Sequence, residues 1–329
     1  MAGECEVVPF SICSMTMALR ALSTLAGLLA ISASAAPSPP SYSGFSWADT
    51  QYLITFGDSY TYVQGTHGLQ NFSFIHDSLH LPFTPQELLS NQIVQNQTST
   101  AEGGPNWVEY LTECGLQPGL TSPCDCNVQL WDFAFGGADV STKYTPLHHN
   151  FTTSLVNQTI QFEKYGDPVL SDFIDKAKTL VGVWIGINDI NDSAEYDVDF
   201  PTFYNQLVTT LFKRMQRIYN LGYSNFLVIN LPPLDRTPGN VVRSGGPLPN
   251  KTMIDWYDEA LQNHSIAFQK KNKGSKVMYF DANTFLNGVL DQPAQYGIQN
   301  STGYCAAYDQ PYINTDPGMY GCLPLDEYL

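Results

Sequence analysis

Three short segments put a nucleophile or hydrogen-bond donors directly after a strand-like run. In Thr55-Phe56-Gly57-Asp58-Ser59 a serine follows an apolar stretch and a glycine that permits a tight turn, so its hydroxyl and backbone N–H could meet one ligand atom. In Asp132-Phe133-Ala134-Phe135-Gly136-Gly137-Ala138 a glycine pair lets backbone N–H groups approach a developing oxyanion with no Cβ in the way. In Gly186-Ile187-Asn188-Asp189 a carboxamide can add a further donor, typically worth about 3 kcal/mol of transition-state stabilisation. Taken singly, each segment reads as an ordinary turn, and Gly-Asp-Ser is a common N-capped one. All three, in this order at the ends of successive apolar runs, are not easily explained as plain turns.

The elements that must hold these turns are legible as apolar runs. Tyr52 to Phe56, Leu130 to Phe135, Leu180 to Ile185, Ser224 to Leu231 and Lys276 to Phe280 lack strict alternation, which predicts parallel strands buried on both faces. Helical patterns fall between them at Pro105 to Thr112, Leu155 to Tyr165, Phe203 to Leu221 and Thr252 to Lys271. Alternating strands and helices predict a doubly wound α/β domain whose ligands bind beyond the carboxyl ends of the strands. Residues 63 to 104, rich in Asn, Gln, Ser and Thr, read as a long insertion without structure of its own.

With these motifs in place, the sequence resembles the GDSL or SGNH hydrolase superfamily, and within it secreted fungal-type acetylesterases of carbohydrate esterase family 16. The likeness rests on Phe-Gly-Asp-Ser-Tyr at 56 to 60, Gly-Gly-Pro-Asn-Trp at 103 to 107, Asp-Phe-Ala-Phe-Gly-Gly-Ala at 132 to 138 and Trp-Ile-Gly-Ile-Asn-Asp at 184 to 189. It implies a flavodoxin-like three-layer sandwich with a five-stranded, mainly parallel sheet, and no metal or organic cofactor. It also implies Ser59 as nucleophile, with an oxyanion hole made of the Ser59 and Gly137 backbone N–H groups and the Asn188 side chain. The chemistry expected is hydrolysis of carboxylic esters, acetyl or short-chain and carbohydrate-linked. Two other readings stay open: a GDSL lipase or phospholipase acting on longer acyl chains, and a catalytically dead glycan-binding or surface protein that keeps the fold.

The dead-protein reading exists because the family's fourth block, a C-terminal Asp-x-x-His that supplies the base and its orienting acid, has no counterpart in the last 60 residues. We therefore expect the hydrolase domain, residues 50 to 329, to be cut short at its C-terminus. Asp77-Ser78-Leu79-His80 matches the pattern literally but precedes the second strand, which makes His80 a weak candidate base. His148 and His149, in a polar loop beside Asn150, are weaker still, and His264 is expected as an exposed helix residue.

Composition agrees with a secreted globular enzyme. Hydrophobic residues make up 43% of the chain, with 18 Phe and 19 Tyr, enough for a substantial core and unlike a disordered sequence. The net charge of −16 opposes binding to nucleic acid or anionic membranes. Arg20, the apolar run Ala21 to Ile31 and Ala33-Ser34-Ala35-Ala36 form a signal-peptide pattern over residues 17 to 36, too short to anchor in a bilayer. Residues 1 to 16 then read as a start-site artefact and 37 to 49 as a linker. Eight sequons, at Asn71, Asn96, Asn150, Asn157, Asn191, Asn250, Asn263 and Asn300, are expected to carry glycans on an extracellular monomer. In an oxidising compartment Cys305 should pair with Cys322, and Cys114 with Cys124 or Cys126.

Overall fold

The five apolar runs become five strands: β1 (Tyr52–Gly57), β2 (Gln129–Asp132), β3 (Thr179–Trp184), β4 (Asn225–Ile229) and β5 (Lys276–Phe280). A computed structural model describes residues 45–95, 105–308 and 310–329. The expected signal segment, the residues before it, most of the linker and the Asn96 sequon lie outside the described residues. Every pairing in the sheet is parallel, in the order β2-β1-β3-β4-β5. This is a doubly wound arrangement, and the chain reverses its direction of travel at β1 and β3, where such sheets open a crevice for ligands. Strand β3 is buried at every position, which explains why its sequence reads as an unbroken apolar run.

Helices cover the sheet: α1 (Trp107–Thr112), α2 (Leu155–Gln161), α3 (Ile187–Ser193), α4 (Phe200–Asn220), α5 (Lys251–Lys271) and α6 (Ala282–Asp291). The helical spacing of Leu207, Leu211, Met215 and Ile218 puts all four on the buried stripe of α4, each contributing roughly 1.5–3 kcal/mol by leaving water. α4 packs along α5 through Tyr204 against Tyr257 and Phe212 against Phe268. A smaller cluster forms where Trp107 of α1 meets Trp184, Ile229 and Ala282 of α6. No helix among the described residues is long and apolar enough to cross a membrane.

Several expectations need correction. The pattern from Leu155 to Tyr165 is α-helical only to Gln161 and continues as a π turn over Phe162–Gly166. The sequence pattern predicts no helix over Ala282–Asp291, where α6 forms. The insertion is not structureless in its described part: Phe74, Ile75, Phe83, Leu88 and Ile93 join the main core, and Pro85–Leu89 forms a short helix closed by a Thr84/Glu87 capping box. Ile93–Gln95 also pairs antiparallel with Gly119–Thr121, so burial of scattered aromatic residues outweighs the polar composition between them. The Cys114 alternative resolves to Cys126, and Cys305 is joined to Cys322.

The end of β1 is the tightest place in the sheet. A Cβ on Gly57 would lie 2.2 Å from the Trp184 carbonyl oxygen on the neighbouring strand, and backbone cannot swing aside as a side chain can. Gly57→Ala should therefore destabilise the fold by about 1–3 kcal/mol, read as a lower urea midpoint at unchanged slope. An unshifted midpoint would show that β1 and β3 can part there without loss.

Candidate active site

The three glycine-bearing turns all lie at the carboxyl ends of β1, β2 and β3, and hydrogen bonds tie the second to each of the other two. Between the first and second, Phe135 N–H donates to the Gly57 carbonyl at 3.1 Å. Between the second and third, Asn188 Nδ2 donates to the Ala138 carbonyl at 2.9 Å. Between the first and third, the Asp58 carboxyl faces the Ile187 N–H in the first turn of α3, which favours its charged form. Ser59, Gly137 and Asn188 thus share one end of the sheet, and each is half-buried. The Ser59 hydroxyl has no hydrogen-bond partner among the described residues, and Asn188 keeps a second amide proton after bonding Ala138.

The turn that presents Ser59 is held by a residue far away in sequence. Gln158, buried on α2, accepts from the Gly57 N–H at 3.0 Å and returns a bond from Nε2 to the Gly57 carbonyl at 2.8 Å. The same Nε2 donates to Thr153, anchoring the entrance of α2. On the other side of Ser59, Asp58 Oδ1 accepts from the Tyr60 N–H at 3.0 Å. Buried Asp132 fixes the base of the site by accepting from Thr55 Oγ1 and from the Val63 and Ala134 N–H groups.

Carboxylates converge behind these turns. Asp58, Asp139 and Asp189 are almost fully buried, one from each strand-end turn, and none has a Lys or Arg ion pair among the described residues. Burial pushes Asp58 up to about 7, with the Asp139 charge adding to the rise. Burial and the Asp192 charge do the same to Asp139, also to about 7, against an opposing effect of His148. Asp189 is raised by burial and by Asp139, while both its oxygens accept from the Val140 N–H.

His148 packs against the second of the three turns, at Gly137. Gly137 has φ +77°, and a Cβ there would touch the His148 ring at 3.3 Å, so glycine suits both the backbone and the neighbour. His148 Nε2 lies 2.7 Å from Asp192 Oδ2, and Asp192 stands one helical turn beyond Asn188 on α3. His80 is 76% exposed and paired with Asp77, and no hydrogen bond or ion pair among the described residues links it to Ser59, Gly137 or Asn188. Its loop rests on the next one, through Ser78 bonds to the Asn150 and Phe151 carbonyls. His264 is half-buried rather than exposed, bonded to Asn205 and stacked on Phe212 in the α4/α5 seam. Of the described sequons, Asn71, Asn150, Asn191, Asn250 and Asn263 are exposed, whereas Asn157 and Asn300 are half-buried.

Residues 53–322 match the family model of GDSL-like lipases and acylhydrolases. The chain belongs to that family. It is 30% identical over 265 residues to an acetylesterase of Thermothelomyces thermophilus, covering 78% of each chain. It is 24% identical over 319 residues to an acetylesterase of Hypocrea jecorina, covering 85% of this chain and 82% of that one. GDSL esterase/lipase 1 of Arabidopsis thaliana is 25% identical over 304 residues, with 84% and 80% covered. This GDSL hydrolase accordingly acts on ester bonds.

Sequence reasoning passed over two features of this GDSL hydrolase: the Gln158 clamp and the His148–Asp192 pair. Their partners lie 101 and 44 residues away, and a lone Gln or His in a polar stretch carries no local mark of either.

The buried acids give the fold a definite pH dependence. Asp58, Asp132 and Asp139 are held near 7 and Asp258 near 8, chiefly by burial, so between pH about 4 and 8 the native state keeps protons that the unfolded chain has released. Stability must then fall as pH rises through that window. The thermal midpoint should be higher at pH 5 than at pH 8, and the reverse order would contradict the assignment of these groups as neutral when folded.

Proposed function

We propose that the chain is a secreted serine esterase that removes acetyl and other short acyl groups from carbohydrates. Ser59 Oγ attacks the ester carbonyl, and the N–H groups of Ser59 and Gly137 with the Asn188 amide hold the oxyanion as it forms. Collapse breaks the bond to the sugar oxygen, which takes up the proton given up by Ser59 Oγ and leaves as the alcohol; water then attacks the acyl-serine, releasing the acid and returning a proton to Ser59. The observation that supports this reading is the pair of hydrogen bonds, Phe135 N–H to the Gly57 carbonyl and Asn188 Nδ2 to the Ala138 carbonyl, that ties the second strand-end turn to the first and third at one end of the sheet. The acetyl preference draws on two fungal relatives named as acetylesterases. Secretion draws on the signal-like pattern at 17 to 36, on exposed sequons and on the disulfides Cys114–Cys126 and Cys305–Cys322. His80 enters only as a weak candidate base, on the Asp77-x-x-His80 pattern match: its side chain is 76% exposed and makes no hydrogen bond to Ser59, Gly137 or Asn188 among the described residues.

Initial rates on p-nitrophenyl acetate and on a long-chain p-nitrophenyl ester test the proposal together. The acetate should be strongly preferred, and Ser59→Ala should remove about 10⁴ to 10⁶ of the turnover. Asn188→Ala should lower kcat about 10²- to 10³-fold with little change in KM. Preference for the long chain would make the protein a lipase. Equal background rates for the native chain and Ser59→Ala would leave it a non-catalytic member of the fold. An unchanged pH–rate profile in His80→Ala would remove His80 as the base.

A further inference from the structure

Beside the hydrolytic turns, Asp139, His148 and Asp192 direct donor atoms at a common point. One oxygen from each carboxylate and one imidazole nitrogen lie within 4.8 Å of one another. They come from the turn after β2, the loop before α2, and α3, so a single ligand there would tie three segments together. A group of acidic side chains is common on protein surfaces, but this one differs in its buried member. Asp139 is 1% exposed, and neither of its carboxylate oxygens completes a hydrogen bond among the described residues; the Thr145 hydroxyl faces the carboxyl without closing one. Buried carboxylates are ordinarily paired, hydrogen-bonded or bound to a metal.

We propose that Asp139, His148 and Asp192 form a binding site for a divalent transition-metal ion of the zinc type. Two carboxylates and a neutral imidazole carry a charge of −2 that matches the ion, and no Lys or Arg among the described residues competes for Asp139 or Asp192. Three protein ligands of mixed nitrogen and oxygen character suit zinc, which takes His and Asp together with water in a four-coordinate shell. Calcium asks for six to eight oxygens, and magnesium for an octahedral, oxygen-only shell that keeps its waters. The ion acts as a clasp: it fastens the loop bearing His148 to α3 across the Gly137 turn. It supplies no nucleophile, and the site stands whether or not Ser59 is catalytic.

The test uses the full chain, stripped with EDTA and dialysed into a non-chelating buffer. Calorimetric titration with ZnCl2, with CaCl2 and MgCl2 in parallel, is combined with the thermal midpoint at each ion concentration. We expect one equivalent of zinc to bind, the midpoint to rise with zinc, and calcium and magnesium to bind far more weakly. His148→Gln and Asp192→Asn, both at partly exposed positions, should each weaken zinc binding more than about tenfold, while His264→Gln should not. Asp139→Asn probes the buried ligand, and the two other variants decide the matter should that one fail to fold. No stoichiometric uptake, uptake unchanged in both His148→Gln and Asp192→Asn, or calcium binding as tight as zinc would each overturn the proposal.

Discussion

One buried carboxamide, that of Gln158, holds the turn that carries Ser59. β1 ends at the N–H and carbonyl of Gly57, just ahead of Ser59, and the carbonyl also accepts from the Phe135 N–H. Gln158 satisfies both from a single side chain, accepting with one atom and donating with the other. A buried N–H left without a partner costs about 1–3 kcal/mol, so the clamp fixes the direction in which Ser59 leaves the strand as well as stabilising it. A carboxylate in its place would accept but could not donate, and an aliphatic side chain would do neither. The entry of α2, through Thr153, is thereby coupled to the placement of the serine.

The second constraint is electrostatic. Acidic side chains that accept backbone N–H groups hold the strand-end turns, Asp58 at Tyr60 and Asp132 at Ala134 within a turn, Asp132 at Val63 and Asp189 at Val140 between segments. These bonds hold loops that no strand partner could hold, but they crowd carboxylates into a region of low dielectric. The crowding appears as raised proton affinity, so order at the site and protonation of its supports are linked. No Lys or Arg among the described residues pairs with Asp58, Asp139 or Asp189 to relieve it.

Much of this could be read in the sequence, for identifiable reasons. The sheet was legible because central parallel strands are buried on both faces, and each became an uninterrupted apolar run such as Leu180 to Ile185. The three turns were legible because glycine marks each strand end. The insertion was misread because Phe74, Phe83, Leu88 and Ile93 are irregularly spaced among polar residues, although Thr84-Pro85-Gln86-Glu87 did carry a capping-box pattern. α6 escaped because Asn283, Asn287 and Gly288 dilute its helical signal. Gln158 and the His148–Asp192 pair escaped because their meaning lies in partners that only the tertiary fold supplies.

The central claim is that Ser59, backed by Gly137 and Asn188, is the residue that takes the acyl group. A fluorophosphonate probe reacts with an activated serine and leaves a stable phosphonyl adduct, so tryptic mass mapping of the labelled chain reads the nucleophile directly. The account predicts a single adduct on the peptide bearing Ser59, lost in Ser59→Ala and slowed in Asn188→Ala. Ester hydrolysis accompanied by labelling at a different serine, or by no labelling of Ser59, would contradict it.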